Sequence, residues 1–202
     1  MTETTQQRPG AGRSPGRPRS ERAERAIIEA TLDLLAEESG VAGVSIEAVA
    51  ARAGVGKTTI YRRWTNKEAL IVDALASVKG TLPTPPGDSV REDLLVLALA
   101  MHTDRHRKHA KCFWNVIGGA EKHPELYARY RQDVMEPRRD VVRAVLRRGL
   151  GTGELRADVD VEVALAMLIG SLSLKTPKDE LPEGFPEAVV ETLLKGIAAP
   201  GT

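Results

Sequence analysis

Five basic side chains lie between residues 48 and 67, and no acidic side chain falls among them. Glu47 and Glu68 bound this run on either side. A row of cations without neighbouring carboxylates is an electrostatic footprint suited to a polyanion. For so short a run, a solvated helix face is an equally good interpretation. We refer to it below as the basic stripe: Arg52, Lys57, Arg62, Arg63 and Lys67.

A possible metal site is formed by His102, His106, His109 and Cys112, which would share one face of a continuous helix. Imidazole and thiolate are good ligands for zinc, nickel or copper. Four nearby cations disfavour a bound metal, and a helix start at Asp104 would break the alignment. We therefore predict no metal site. The four cations are Arg105, Arg107, Lys108 and Lys111.

A phosphate-binding loop is suggested by residues 56–58, Gly-Lys-Thr. The complete pattern requires a glycine at the position of Ala51 and a preceding strand, whereas residues 45–52 are typical of a helix. No Ser/His/Asp or Cys/His set has a recognisable catalytic context, and no pair of carboxylates stands out. We expect no enzyme, no catalytic residue and no cofactor.

Composition points to a helical protein with a real core. The chain has 202 residues, of which 42% are hydrophobic and 3% aromatic, and no segment shows the alternation of a half-buried strand. A single cysteine excludes an internal disulfide and favours a reducing compartment. The apolar runs are too short to span a bilayer. We predict an all-α, soluble, cytoplasmic protein.

The net charge of +1 hides a segregation of charge. Residues 1–67 hold 11 basic and 8 acidic side chains, and residues 68–202 hold 18 and 20. The two parts nearly cancel, so a pI near 7.9 is no evidence against binding to nucleic acid.

Helix signals divide the first eighty residues into four helices. Residues 1–19 have the composition of a disordered basic arm. Ser20 is a plausible N-cap of an amphipathic helix that stops before Gly40. Ser45 caps a shorter helix that ends at Gly54, a third short helix follows, and Asn66 caps a fourth.

The clearest break in the chain is at residues 80–87, which contain three prolines and two glycines. Beyond it, Ser89 and Glu92 form a capping box. Further helices are predicted over 105–117, from Pro124 with a bend or interruption near Pro137, over 161–174 and over 183–198.

Two short helices joined by residues 53–56 have the ingredients of a helix-turn-helix, because Gly54 permits the tight turn and Val55 pins the second helix to the core. The basic stripe extends along that second helix, so DNA binding becomes the leading interpretation. Residues 27–30, 45–64 and 66–70 resemble the TetR family of bacterial transcription regulators. The resemblance is specific over residues 17–75 and continues beyond them only as a general helical layout.

The resemblance implies a set of DNA-contacting residues. Ser45 matches the N-cap residue that touches a phosphate. Arg17 and Arg19 match residues of arms that lie in the minor groove. A flexible basic tail that adds only nonspecific affinity is an equally good interpretation of this arm. Ile60 and Trp64 match structural positions. Thr58 stands where many members have glycine, so the base preference does not follow from relatives. The recognition-helix and flanking positions are Lys57, Thr58, Thr59, Tyr61, Arg62, Arg63 and Lys67.

The resemblance also implies a homodimer on a double-stranded, palindromic DNA operator, released by a small-molecule effector. The division is an arm at 1–19, a helix-turn-helix domain at 20–66, and an effector-binding and dimerisation domain at 67–202. Apolar rows on the last two helices are expected at the dimer interface: Leu165, Leu168, Ile169, Leu172, Val189, Leu193 and Ile197.

Clustered aromatic and methionine side chains are candidates for an effector pocket, with ordinary core packing as the alternative. They are Met101, Phe113, Trp114, Ile117, Tyr127, Tyr130, Met135 and Met167. A competing hypothesis for the whole chain is a helical small-molecule or metal-binding protein in which the basic stripe is incidental.

Overall fold

The computed structural model describes residues 17–37, 39–105, 110–173 and 181–197. Regular structure in these ranges is helical apart from one isolated backbone bridge at Leu155, which confirms the predicted fold class. None of these helices is both long and apolar enough to cross a bilayer. The helices are α1 (Arg17–Ala36), α2 (Gly40–Gly43), α3 (Ile46–Ala53), α4 (Lys57–Tyr61), α5 (Lys67–Lys79), α6 (Val90–Arg105), α7 (Ala110–Gly118), α8 (Pro124–Tyr130), α9 (Glu136–Thr152), α10 (Val161–Leu172) and α11 (Phe185–Ile197).

Local capping sets the bounds of the helices that carry the basic stripe. The Ser45 hydroxyl accepts a hydrogen bond from the Ala48 N–H at 3.0 Å and starts α3, as predicted. Gly54 ends α3 with a φ of 65°, a conformation that glycine adopts without strain. The Asn66 side chain accepts from the Ala69 N–H at 2.8 Å and starts α5.

The N-terminal region differs from the prediction in two places. Helix α1 begins at Arg17, three residues before Ser20. The one-turn helix α2 was not predicted. It begins at Gly40, which has a φ of 50° and whose added Cβ would lie 3.3 Å from the Asn115 Cβ. This turn therefore depends on a contact with α7, which is remote in sequence.

A single irregular turn separates α8 from α9. Residues Arg131–Met135 form a π-helical turn in which the Glu136 N–H donates to the Arg131 carbonyl. Pro137 has no N–H to donate back along the helix, and its ring would clash with the preceding turn of a regular α-helix. The wider turn accommodates the proline. The predicted interruption near Pro137 is thereby confirmed.

Two hydrophobic cores organise the described residues. The first joins α1–α5 to α7 and α8, so it extends past residue 66, where we divide the chain from the sequence. The second is built from α6, α9, α10 and α11. The helices of the basic stripe therefore share buried apolar surface with helices of the C-terminal half.

The start of α6 is fastened to α9. Asp93 is fully buried, accepts the Gly87 N–H at 2.8 Å and lies 2.6 Å from the Arg148 guanidinium. Gly149 allows the close approach of the two helices, because an added Cβ would lie 2.6 Å from the Val90 Cγ2. A side chain at position 149 would therefore push α6 and α9 apart.

We expect Gly149→Ala to lower the free energy of unfolding by about 1–3 kcal/mol through overpacking. Gly151→Ala on the same helix is the matched control, because nothing lies within 4 Å of its added Cβ. The control should leave stability unchanged or raise it by up to about 1 kcal/mol, since alanine favours helix. Urea unfolding measures both, and equal effects of the two substitutions would contradict this packing.

Candidate nucleic-acid interface and effector cavity

The short helix α4 is held to the first core by one face. Ile60 is fully buried, and Trp64 is buried with its indole N–H donating to the Asp73 carboxylate at 2.9 Å. Val55 packs against the same core from the turn before α4. These contacts fix the orientation of α4 and leave its opposite face available.

The available face of α4 carries most of the residues expected to contact DNA. Lys57, Thr58, Tyr61 and Arg62 are exposed, and Tyr61 exposes 54% of its surface despite being a large aromatic side chain. Thr59 and Lys67 are half-buried at either end of this surface, as is Ser45 at the start of α3. An exposed aromatic ring among cations is a surface suited to contacting a nucleic acid.

Two cations of the basic stripe make surface ion pairs. The Lys57 ammonium lies 3.0 Å from the Glu47 carboxylate, and its hydrogen bond lowers the pKa of Glu47. Arg52 pairs with Glu37. All four side chains are well exposed, so water and salt screen the pairs. A phosphate group can replace such carboxylates at little cost.

Arg63 is placed differently from its neighbour Arg62. Its guanidinium donates to the Ser20 carbonyl and hydroxyl oxygens at 3.1 and 2.5 Å and lies 3.0 Å from the Glu24 carboxylate. It exposes only 21% of its side chain. Arg63 therefore ties the end of the helix-turn-helix to α1, and Arg62 is the arginine left facing outward.

The arm residues of the sequence-based prediction are only partly described. Arg17 begins α1, and Arg19 lies within it, but the side chains of both fall outside the described residues, as does Gly16 altogether. Their contact with a minor groove stays a prediction.

A cavity of about 120 Å³ lies among α5–α10. Six of the eight side chains expected in the effector pocket line it, and Tyr127 and Met167 do not. Met167 lies two positions before Ile169 and so points to the far side of α10. The lining residues are Lys79, Met101, Phe113, Trp114, Ile117, Tyr130, Val134, Met135, Arg138, Arg139, Ile169, Leu172 and Ser173.

The sequence-based selection missed the cations of this cavity. It looked for aromatic and methionine side chains, whereas Lys79, Arg138 and Arg139 also line the wall. These residues come from the end of α5 and the start of α9, which only the folded chain brings together. A charged residue on an amphipathic helix is ordinarily predicted to be exposed to solvent. No feature of the local sequence therefore indicated that these three cations line a cavity.

The residues expected at the dimer interface are largely buried within one chain. Leu165, Leu168, Leu172 and Leu193 expose 5% or less of their surface and belong to the second core. Ile169 lines the cavity instead. Helical periodicity identifies a face that is buried but not what covers it, and here α6 and α9 of the same chain cover it. Val189 and Ile197 border a surface groove between α10 and α11, as do Met167 and the rims of Leu168 and Leu193.

Helix α7 connects the cavity to the first core. Phe113, Trp114 and Ile117 line the cavity. From the other side of α7, the Cys112 thiol donates to the Leu32 carbonyl at 3.2 Å, and the Asn115 amide donates to the Leu35 carbonyl at 2.6 Å. The end of α1 is thus capped by side chains of a cavity helix.

Comparisons with known proteins decide the family. A model described as bacterial regulatory proteins of the tetR family matches residues 27–74, and a tetracyclin repressor-like C-terminal domain model matches residues 84–193. The HTH-type transcriptional regulator YdeS of Bacillus subtilis is 32% identical over 91% of this chain and 94% of its own. The chain belongs to the TetR family.

Other TetR-family proteins match over similar lengths. The DNA-binding transcriptional repressor TetR of Mycobacteroides abscessus is 30% identical over 91% of this chain and 97% of its own. The solved structure of TetR family transcription regulator SCO0332 superposes with a TM-score of 0.63 at 32% identity, covering 88% of this chain and all of that one.

Membership of the TetR family confirms the prediction of a DNA-binding transcriptional regulator. The competing hypothesis of a helical small-molecule or metal-binding protein is thereby displaced for the chain as a whole, and the contact of the basic stripe with DNA stays a prediction. The phosphate-loop interpretation also fails, because residues before Gly56 form helix α3 and not a strand.

Over the described part of the chain, no group of three or more His, Cys, Asp or Glu side chains is arranged to hold a metal ion. His106 and His109 lie outside the described residues. Cys112 is fully buried against α1, and burial raises the pKa of its thiol to about 11. Burial thus disfavours the thiolate of Cys112, which is the form that binds metals.

We expect Arg63→Ala to lower the free energy of unfolding by about 1–2 kcal/mol, because it removes the hydrogen bonds to Ser20 and the ion pair with Glu24. The adjacent Arg62→Ala is the control and should change it by no more than about 0.5 kcal/mol. Urea unfolding followed by circular dichroism compares them. An Arg63→Ala protein as stable as the wild type would refute the structural role.

Proposed function

We propose that this TetR-family regulator is a homodimeric repressor that leaves a palindromic operator when a small molecule fills the cavity among α5–α10. The observation that carries the proposal is the shared first core. The buried face of α4 packs in the same core as α7, and α7 forms one wall of the cavity. A ligand on one side of α7 therefore acts on a helix that touches the DNA-binding unit.

Operator recognition is assigned to the exposed face of α4. An arginine makes bidentate hydrogen bonds to guanine in the major groove, and a threonine methyl contacts a thymine methyl. Arg62 and Thr58 suit these roles, because both are exposed and neither is held by the core. Tyr61 and Lys67 suit backbone phosphates, which position the helix without reading sequence.

Effector release is assigned to a shift of α7 and α5. Asn115 and Cys112 hold α7 to the last turn of α1, and Arg138 donates to the Gly80 carbonyl at 2.7 Å just after α5. A ligand weakens DNA binding only as far as it prefers the conformer with the wrong spacing of recognition helices. A hundredfold loss of operator affinity requires about 2.7 kcal/mol of such preference.

Dimerisation is assigned to the outer faces of α10 and α11. Val163 and Met167 expose 54% and 56% of their surfaces on α10, which is unusual for large apolar side chains. Met167 borders the same groove as Val189 and Ile197 of α11, and Val163 lies one helical turn before Met167 on α10. A two-fold pairing of these helices buries all four side chains and sets two α4 helices on successive major grooves.

We expect Arg62→Ala to weaken binding to the operator by about 5- to 150-fold, the equivalent of about 1–3 kcal/mol, with little change on random DNA. Lys67→Ala should instead weaken binding to both the operator and random DNA and reduce the slope of log affinity against log salt by about one unit.

The operator is first selected from genomic fragments, and gel shifts at two salt concentrations then measure both variants. Arg129→Ala on α8 is the control, because Arg129 is exposed and pairs only with nearby Asp133. Equal wild-type affinity for selected and random duplexes would refute sequence-specific recognition.

We expect Met167→Arg to shift the protein from dimer to monomer, because a paired α10 would bury an unpartnered charge at the interface. Leu99→Arg on α6 is the matched control, since Leu99 is similarly exposed at 45%. Sedimentation analysis measures both. A Met167→Arg protein that stays dimeric would place the interface elsewhere.

A further inference from the structure

The wall of the cavity has a marked charge bias. Lys79, Arg138 and Arg139 line it, and no aspartate or glutamate is found among the described lining residues. The remaining wall is aromatic or aliphatic apart from Ser173. Cations facing a mainly apolar space are costly unless an anion or another acceptor compensates them.

Two of these cations make structural contacts with the protein. Arg138 donates to the Lys79 and Gly80 carbonyls at 3.2 and 2.7 Å, which satisfies the end of α5. The Lys79 ammonium lies 4.1 Å from the centre of the Phe113 ring, within range of a cation–π contact. Neither contact neutralises the positive charge.

Arg139 is the cation whose bonding the protein leaves incomplete. Its Nε atom is buried and has no hydrogen-bond partner in the structure. Its Nη1 reaches the Glu136 carboxylate at 3.4 Å, a long contact, and Glu136 also accepts from Arg131 at 3.0 Å. The hydrogen bond from Arg131 is the main cause of the lowered pKa of Glu136. One carboxylate is thus shared, and a buried guanidinium donor still lacks an acceptor.

The apolar part of the wall limits what can accompany an acceptor. Phe113, Trp114, Ile117 and Tyr130 form a continuous aromatic and aliphatic surface on α7 and α8. At about 120 Å³, the cavity is close in size to engineered apolar cavities of about 150 Å³ that hold benzene. A space of this size suits a single ring or a short alkyl chain.

We infer that the effector is a small organic carboxylate, with its apolar body against α7 and its charged group at Arg139. The inference rests on the proposed function and names the chemical class of its effector. A carboxylate accepts from a guanidinium in strong, charge-assisted hydrogen bonds. A neutral analogue forms weaker bonds there, and an ammonium is repelled by all three cations. Charge at one end and an apolar body at the other together define the ligand.

Three probes of nearly equal shape test the charge: 4-methylbenzoate, 4-methylbenzyl alcohol and 4-methylbenzylamine. Octanoate, octanol and octylamine form a second, flexible series. Titration calorimetry measures binding to the full-length wild-type protein. Fluorescence gives a second readout, because Trp114 lines the cavity and Trp64, the other tryptophan of the chain, lies in the first core.

We expect the carboxylate of at least one series to bind tenfold or more tightly than its alcohol, a difference of about 1.4 kcal/mol, and the amine to bind most weakly. Arg139→Gln should lower the carboxylate affinity at least tenfold and the alcohol affinity by a much smaller factor, because the alcohol makes only weak hydrogen bonds there. Arg129→Gln on α8, outside the cavity, should alter neither. If Arg139→Gln unfolds the protein, the wild-type ranking alone decides. Carboxylates that bind no better than their alcohols, or no binding in either series, would overturn the inference.

Gel shifts with the same probes separate this inference from the proposed function. If an alcohol or amine releases the operator and the carboxylate does not, regulation by an effector stands and the carboxylate class is wrong. If the carboxylate binds at Arg139 but the operator stays bound, the anion site stands. Release of the operator through that site is then refuted, and with it the assignment of the carboxylate as effector.

Discussion

The packing of α7 against α1 is the contact that joins the helix-turn-helix of this regulator to the cavity. Without it, the helix-turn-helix and the cavity would be separate units with no physical reason to influence each other. Cys112 and Asn115 fasten α7 to the last turns of α1, and Phe113 on α7 lies in the first core while it lines the cavity. Packed interiors transmit small displacements because they have little free volume. Any change in the position of α7 must therefore be absorbed by α1 or by the cavity.

Both of the surfaces to which we assign a function are positively charged, in a chain whose net charge is only +1. On the α4 surface proposed to bind DNA, Lys57 forms an exposed ion pair with Glu47, and a DNA phosphate can take the place of that carboxylate. In the cavity, Arg139 and its neighbours create a positive site beside an apolar wall. The net charge of the chain reveals neither positive site, because acidic side chains elsewhere in the sequence balance the basic ones. Local charge, not net charge, indicates the partners.

Local features of the fold were predictable from sequence, and long-range features were not. Ser45, Gly54 and Asn66 act within a few residues of themselves, so the helix-turn-helix followed directly from their positions. The interruption at Pro137 has the same local origin. By contrast, α2 requires Gly40 to meet Asn115, and the cavity cations come from two helices that only folding brings together. Leu165 and Leu168 illustrate a third case: periodicity predicted that they are buried but not that their own chain covers them.

Coupling between the cavity and the helix-turn-helix through α7 and α1 is tested by measuring operator affinity with and without saturating effector. The measurement compares the wild type with Asn115→Ala. The substitution removes the two hydrogen bonds that Asn115 donates to the end of α1, and Asn115 belongs neither to the α4 surface nor to the cavity lining. We expect the effector to weaken operator binding strongly in the wild type. In Asn115→Ala the ratio of the two affinities should move towards one, while the effector still binds. An unchanged ratio in the variant would contradict coupling through α7 and α1.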